Sequence, residues 1–182
     1  MVDGGSGLVR WHVTMSVDGF ITGPGDGMDW FFGQGHRVSG AADAVVASTG
    51  AILAGRRSWD VGRAMGQRPY GGAWNGPLLV LTHRPEEIDG PDVQGVSGDV
   101  GAAVARARAA AGGRDVVVFG ARTARQCLDR GLLDDILIHV APVLLGEGVR
   151  LFDRPGGGPV RLRQLGRDDP TLLPDLHYAV PR

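Results

Sequence analysis

Three short turns in this sequence carry groups suited to binding phosphate. They occupy residues 55–58, 82–84 and 120–123, and each follows a short apolar run. Arginine binds phosphate through paired hydrogen bonds, and a glycine-led turn into a helix exposes free N–H groups at the positive end of the helix dipole. The residues concerned are Gly55, Arg56, Arg57, Ser58, Thr82, Arg84, Gly120, Ala121, Arg122 and Thr123. The alternative is that the arginines form a solvated face and that the turns bind nothing.

The way in which a ligand would be held follows from what the sequence lacks. No G-x-G-x-x-G triad follows a predicted strand, so an ordinary Rossmann site is not expected. Open α/β sheets bind ligands where strands end and helices begin. Because the three turns recur at equivalent places of one predicted architecture, we expect a dinucleotide held by dispersed loops.

Composition excludes several kinds of chemistry. The 182 residues include 19 basic and 20 acidic side chains, the formal net charge is −1, and all 19 basic residues are arginine. Without lysine, a Walker-type phosphate loop, a pyridoxal Schiff base and a lysine nucleophile are excluded. Cys127 is the only cysteine, which excludes an intramolecular disulfide and a multi-cysteine metal site and favours a reducing cytoplasm. No block of one charge sign is present, so we expect a small-molecule substrate and neither a nucleic acid nor a membrane as partner.

A few other residues have types and positions that matter for chemistry. Asp18 lies in an Asp-Gly pair after a predicted strand, where it either contacts a substrate or bonds its own backbone. Trp30, in a glycine-rich loop, is the tryptophan predicted to contact substrate. The five histidines have no ligand spacing, so no metal site is predicted, and His139 and His177 are interpreted as satisfied sheet residues. Cys127 is interpreted as a buried, inert thiol.

The elements that must position these residues alternate along most of the chain. Strands are predicted at residues 8–15, 51–54, 78–81, 93–96, 115–119 and 136–140, and helices at 41–48, 56–65, 100–111 and 121–130, with Ser39 and Asp99 as N-caps. After Pro142 only strands follow, at 143–145, 148–152, 160–165 and 172–180, the last two antiparallel. The pattern predicts an α/β fold with one mixed, mostly parallel sheet, helices on both faces and antiparallel C-terminal strands. Residues 1–7 are interpreted as a flexible leader and residues 8–182 as a single domain.

Five motifs identify a resemblance. They are Met-Ser-Val-Asp-Gly-Phe-Ile at 15–21, Leu-Ala-Gly-Arg-Arg-Ser-Trp at 53–59, Val-Phe-Gly-Ala-Arg at 118–122, Gly-Leu-Leu-Asp-Asp at 131–135 and Pro-Val-Leu-Leu-Gly-Glu-Gly at 142–148. In this order they resemble the reductase domain of riboflavin biosynthesis, the RibD C-terminal domain family of the dihydrofolate-reductase-like superfamily. The resemblance covers residues 9–180 and implies a three-layer α/β/α fold.

The resemblance also implies a function. Members of the family bind NADPH and transfer a hydride to an imine-like or C=N carbon, and 5-amino-6-(5-phosphoribosylamino)uracil reductase is the nearest type. The residues of the turns at 55–58, 82–84 and 120–123 would then hold the cofactor. Asp18 is the implied catalytic residue, and the implied substrate-binding residues are Asp18, Trp30, Leu145, Gly146 and Glu147. A homodimer is expected.

Two departures from the family pattern keep alternatives open. The pyrophosphate turn of the family commonly has two glycines, and here the second is Ala121. Dihydrofolate reductases carry an acid on the helix before the Gly-Arg motif, and that place falls near Ser39, with Asp43 a turn further on. The alternatives are therefore dihydrofolate-reductase-type activity, which Asp43 would support, and a non-catalytic nucleotide-binding protein.

Overall fold

The structure, a computed structural model, describes residues 7–32, 40–153, 155–157, 159–164 and 175–180. Its strands are β1 Val9–Ser16, β2 Phe20–Thr22, β3 Thr49–Gly55, β4 Leu78–Leu81, β5 Val93–Val96, β6 Asp115–Phe119, β7 Asp135–Ala141, β8 Val149–Arg150, β9 Arg163–Gln164 and β10 Asp175–Ala179. Its helices are α1 Gly40–Ser48, α2 Arg56–Ala64, α3 Val100–Ala111 and α4 Ala121–Asp129. Among these residues, no helix has the length and apolarity that spanning a membrane requires.

Eight of the strands form one sheet in the order β5-β4-β3-β6-β1-β7-β10-β9. The six strands from β5 to β7 are parallel, β10 is antiparallel to β7, and β9 is antiparallel to β10. Strands β2 and β8 pair antiparallel as a separate small sheet. The predicted mixed, mostly parallel sheet with antiparallel C-terminal strands is confirmed.

The two faces of the sheet are covered by different helices. On one face α3 and α4 pack against alternate strand residues such as Val9 and Trp11 of β1. On the other face Val45 of α1 and Trp74 pack against Ile52 and Val80. Since both faces bury apolar side chains under helices, the fold is the three-layer α/β/α arrangement that the sequence predicts.

Strand β1 is unusual because its second face is polar. Arg10 and His12, which alternate with Val9 and Trp11, are both buried. Arg10 donates from Nε and Nη2 to the two carboxylate oxygens of Asp135 on β7, at 2.7 and 2.8 Å. Buried charges are tolerated only when they are paired in this way.

The helices that frame the sheet begin and end largely where the sequence predicts. Asp99 caps α3, its side chain accepting from Ala102 N at 3.0 Å, and Gly112 ends the helix with a left-handed φ of +61°. Cys127 of α4 is fully buried, and burial raises the pKa of its thiol to about 12. The predicted cap Ser39 lies outside the described residues.

The loop-rich part of the chain departs from prediction. Residues 143–145 do not form the predicted strand, because the backbone N–H of Leu145 donates to the carboxylate of Asp18 instead of to a neighbouring strand. The short strand β2 was not predicted. The strands predicted at 148–152, 160–165 and 172–180 are shorter, as β8, β9 and β10, and residues 165 and 172–174 lie outside the described part.

Candidate functional site

Helices α2 and α4 begin side by side at the carboxyl ends of the neighbouring strands β3 and β6. A Cβ added to Gly55 would lie 2.5 Å from Thr123 Oγ1, and one added to Gly120 would lie within 3.0 Å of Ser58 Oγ. Gly120 also has φ +98°, a conformation that favours glycine. The two turns predicted from sequence therefore touch each other, and each needs its glycine for the other to fit.

Both helix N-termini at this junction lack a side-chain cap within the described residues. The first turn of a helix has N–H groups without an intrahelical partner, and they carry the positive end of the helix dipole. Two uncapped N-termini in contact therefore present a double set of free donors at one place. A pyrophosphate, with two adjacent anionic groups, fits this arrangement.

The arginines predicted to hold phosphate differ in how their charge is balanced. Arg57 is paired with Asp26, with Nη2 at 2.6 Å from Oδ1. Arg56 and Arg84 are both paired with Glu87. Arg122 is exposed and has no ion pair within the described part of the chain. Of the predicted cations, only Arg122 is thus positioned at the junction without a competing carboxylate.

Beside the N-terminus of α4 the structure has a cavity of about 410 Å³. Its lining residues are Ala121, Arg122, Arg125, Gly148, Val149, Arg150, Leu151 and Asp153. The cavity lies between the start of α4 and residues 148–153, which directly follow the predicted substrate-binding residues Leu145, Gly146 and Glu147 in sequence. These two regions, 23 or more residues apart in sequence, therefore share one opening.

Two arginines of this cavity were missed by the sequence reasoning. Arg125 donates from Nη1 to Asp153 O at 2.9 Å, while its buried Nε has no hydrogen-bond partner among the described residues. The guanidinium of Arg150 lies 4.6 Å from the ring centroid of Phe20. Arg125 follows Arg122 by three residues on α4, and this spacing was the available signal that the two share a helix face.

Thr82 and Arg84 end β4 as a small turn. Thr82 is buried, and its hydroxyl accepts from Arg84 N at 3.1 Å, which is the capped strand end that the sequence left open as an alternative. Arg84 itself is exposed. In strand order, β4 lies on the far side of β3 from β6 and β1.

The carboxylate of Asp18 binds the backbone of the loop that follows β7. Its carboxylate accepts from Gly146 N at 2.7 Å, from Leu145 N at 3.1 Å and from the Ser16 hydroxyl at 2.6 Å. The bond from Ser16 first, and those from the loop backbone next, lower the pKa of Asp18 to about 2. Asp18 is therefore an anion at neutral pH that positions the loop. Glu147, the next residue of this loop, is exposed.

Trp30 and Leu145 come together at Gly23. A Cβ added to Gly23 would lie 3.8 Å from Cδ1 of Trp30 and 4.0 Å from Cδ2 of Leu145. The indole Nε1 of Trp30 is buried and has no hydrogen-bond partner among the described residues. The structure thus brings together two of the predicted substrate residues, and the ring centroid of Phe31 lies 5.9 Å from that of Trp30.

His12 and His139 form a buried polar group on the neighbouring strands β1 and β7. His139 is there the satisfied sheet residue that the sequence predicts, whereas its contact with His12 was not predicted. His12 Nε2 is 2.7 Å from Nε2 of His139, and His12 Nδ1 is 2.9 Å from the hydroxyl of Tyr70. Burial, and then the neighbouring His139, lowers the pKa of His12 to about 3. Within the described residues, no group of three or more histidine, cysteine or acidic side chains is arranged to hold a metal ion.

Comparison with known proteins agrees with this architecture. The family model of the RibD C-terminal domain matches residues 8–170. A Shewanella sp. PV-4 protein named after riboflavin biosynthesis has 21% sequence identity and a TM-score of 0.78, with 96% of this chain and 99% of that chain covered. No curated protein has a significant sequence match to this chain.

Two further solved structures share the fold. The deaminase/5-amino-6-(5-phosphoribosylamino)uracil reductase of Thermotoga maritima has 12% identity and a TM-score of 0.64, and the match covers 96% of this chain but 56% of that one. A dihydrofolate reductase of Enterococcus faecalis complexed with NADP(H) has 15% identity and a TM-score of 0.59, with 96% and 95% covered. At these identities the likeness is one of fold.

Proposed function

This chain belongs to the family of the RibD C-terminal domain, and from that premise we propose that it is an NADPH-dependent reductase. The proposed reaction is hydride transfer to an imine-like or C=N carbon of a pyrimidine- or pterin-type small molecule. When bound, NADPH supplies the hydride from its nicotinamide ring. The protein supplies binding, orientation and exclusion of water.

The observation that carries the proposal is the junction of α2 and α4. Gly55 against Thr123 and Gly120 against Ser58 bring two uncapped helix N-termini into contact. The free N–H groups of both first turns would hold the cofactor pyrophosphate, and Arg122 would add a charge-assisted hydrogen bond. Ala121 keeps its backbone N–H, so a methyl group in place of the usual glycine does not remove a donor.

The substrate side of the proposal rests on the loops beyond β1 and β7. Asp18 holds the backbone of Leu145 and Gly146, and Leu145 lies with Trp30 at Gly23. Trp30, whose buried Nε1 has no hydrogen-bond partner among the described residues, would border the substrate beside Leu145. Glu147 and a direct contact of Asp18 with substrate stay predictions.

The proton that accompanies the hydride does not come from Asp18, because a carboxyl with a pKa of about 2 is ionised at neutral pH. Asp18 therefore acts as a positioning residue in the proposed reaction. Folate reduction is the weaker candidate: Asp43, which would have to reach a pterin, is exposed on α1, while Ala42 and Val45 of the same helix face the core.

A cofactor titration tests the proposal. Nicotinamide and tryptophan fluorescence are followed as NADPH is added to the wild type, to Arg122→Gln and to Arg106→Gln, an exposed arginine of α3 that serves as the matched control. We expect binding to wild type and to Arg106→Gln, and about 5- to 20-fold weaker binding to Arg122→Gln, since one charge-assisted hydrogen bond is lost. Absence of binding at millimolar NADPH would overturn the proposal.

Turnover separates a reductase from a non-catalytic nucleotide-binding protein of the same fold. NADPH oxidation is followed at 340 nm with pyrimidine, pterin and flavin-related substrates. Binding of NADPH without oxidation by any of these substrates would favour the binding protein. The expected homodimer is a separate proposal, which light scattering on the purified protein tests.

A further inference from the structure

One carboxylate, that of Glu87, bridges two of the arginines at the sheet edge. Its Oε2 accepts from Arg56 Nη1 at 2.7 Å, and its Oε1 accepts from Arg84 Nη1 at 2.8 Å. Arg56 also donates from Nε to both carboxylate oxygens of Asp60, at 2.9 Å. Two guanidinium groups thus converge on one anionic group.

The elements of the fold explain this convergence. Arg56 opens α2 directly after β3, and Arg84 follows the neighbouring parallel strand β4. The 3₁₀ turn Pro85–Glu87 then folds Glu87 back, with its backbone N–H donating to Arg84 O at 3.2 Å. The chain therefore places an acid between two cations that come from separate strands.

The position of this cluster along the edge indicates which end of a dinucleotide it would meet. In the sheet, the strands follow the order β4, β3, β6, β1. The junction of α2 and α4 is at the ends of β3 and β6, so it lies between the cluster of Glu87, Arg56 and Arg84 on one side and the loop that Asp18 binds on the other. If the nicotinamide lies on the β1 side with the substrate loop, the adenosine must extend over β4. The extra group that distinguishes NADPH from NADH there is a phosphate on the adenosine ribose.

Carboxylate and phosphate compete for the same donors, because the guanidinium fork fits both. Arg56 and Arg84 carry two positive charges, and Glu87 and Asp60 carry two negative charges, so the cluster is neutral. A ribose phosphate that approaches these arginines must displace Glu87 or remain beside it. In the wild type, therefore, Arg56 and Arg84 do not form an unoccupied phosphate-binding site.

We propose that Glu87 determines cofactor specificity by occupying the position in which Arg56 and Arg84 would bind the ribose phosphate of NADPH, and so lowers the preference for NADPH over NADH. This inference rests on the proposed reductase function. Glu87 contacts the start of α2 only through the guanidinium of Arg56. It has no hydrogen bond or ion pair, among the described ones, with the residues whose side chains touch at the junction, Ser58 and Thr123, so we expect it to act on the phosphate alone.

The size of the effect follows from exposure. The side chains of Arg56 and Glu87 are 37% and 38% exposed, and that of Arg84 is 70% exposed. Ion pairs as solvated as these are weak and exchange readily. Removing the competing carboxylate is therefore expected to tighten NADPH binding about 3- to 30-fold, the combined effect of two such pairs.

The test compares Glu87→Gln with Glu86→Gln. Glutamine keeps the shape of the side chain without its charge, and Glu86 is an exposed acid on the same turn with no hydrogen bond to Arg56 or Arg84 among the described contacts. Dissociation constants for NADPH and NADH are measured by fluorescence for the wild type and both variants. We expect Glu87→Gln to bind NADPH about 3- to 30-fold more tightly with NADH changed less than about 2-fold, and Glu86→Gln to change neither by more than about 2-fold.

Two results overturn the inference. Equal gains in both variants would mean that only the general charge of the turn matters. Unchanged or weaker NADPH binding in Glu87→Gln would mean that Glu87 does not compete, or that it orients the arginines for the ligand.

A phosphate titration keeps this inference separate from the proposed function. The melting temperature of each variant is followed as inorganic phosphate is added, with no dinucleotide present. We expect phosphate to protect Glu87→Gln more than wild type or Glu86→Gln. If no variant binds a dinucleotide, the reductase proposal fails, whereas equal protection of all three proteins by phosphate refutes the role of Glu87.

Discussion

The buried histidine of β1 makes the stability of this fold sensitive to acid. His12 is 8% exposed, and its pKa in the folded protein is about 3, against an ordinary value of 6.5. Below pH 6.5 the unfolded chain takes up a proton at this position that the folded protein does not take up until about pH 3. Acid therefore favours the unfolded state, and the stability contributed by neutral His12 is lost as the pH falls through this window.

The magnitude follows from the two pKa values. Each pH unit between them is worth about 1.4 kcal/mol, so lowering the pH from 7.5 to 5.0 should reduce the free energy of unfolding by about 2 kcal/mol through His12 alone. Other groups also titrate in this range. The contribution of groups that lie away from His12 cancels when the pH effect on His12→Gln, which has no ionisable group at this position, is subtracted from that on the wild type.

The assay is urea unfolding at pH 7.5 and pH 5.0 for wild type, His12→Gln and His83→Gln. His83 is an exposed histidine after β4, so its replacement should leave the pH effect within about 0.5 kcal/mol of the wild-type value. An equal pH effect in wild type and His12→Gln would refute the reasoning. If His12→Gln does not fold, NMR titration of the wild-type imidazole replaces it: movement of the His12 resonance between pH 8 and pH 5 would be the contrary result.

Three further substitutions test other contacts. Arg10→Leu leaves Asp135 buried without its bidentate partner, and urea unfolding should show a loss of about 3–5 kcal/mol; a loss below about 1 kcal/mol would contradict a buried ion pair. Asp99→Ala removes the cap of α3 and should cost about 1 kcal/mol in thermal unfolding, and no change would mean that the side chain is not the cap. Asp18→Ala should speed hydrogen exchange at the amide of Gly146 while the sheet amides keep their protection, and slow exchange at Gly146 would show that the loop does not depend on Asp18.

The parts of the fold that sequence predicts well are those fixed by local patterns. Strands β4 and β5 have the predicted bounds, because each is a short run bounded by turn residues. Helix α3 has both of its predicted ends, because a cap at Asp99 and a left-handed Gly112 are local features. Strands and helices alternate along most of the chain, and this alternation predicts that the sheet is mostly parallel.

The errors come from contacts between distant residues. Residues 143–145 have a strand-like composition. However, the backbone N–H of Leu145, which would pair with a neighbouring strand, donates to the carboxylate of Asp18, 127 residues away. Strand β2 depends on pairing with β8 and has three residues, too few for a periodic pattern. Local sequence carries no information about either partner.

The same division holds for the candidate site. The turns at Gly55 and Gly120 were predicted from residue type, and their mutual contact follows from the adjacency of β3 and β6. The acids that neutralise the arginines were not predicted. Asp26 lies 31 residues from Arg57, and Glu87 lies 31 residues from Arg56. Only the pairs Arg84–Glu87 and Arg56–Asp60 have a local spacing, of three and four residues, among the described ion pairs of these arginines. The net charge of the whole chain, −1, does not indicate whether an individual arginine is paired with an acid.

Cys127 makes the chain its own reporter of unfolding. As the only cysteine, fully buried on α4 and with a thiol pKa of about 12, it cannot react with a thiol reagent while α4 is packed on the sheet. The rate of its modification therefore measures how often α4 detaches, without any engineered label. A ligand that bridges the first turns of α2 and α4 should slow that reaction, so thiol labelling reports occupancy of the junction even for a compound that is neither coloured nor fluorescent.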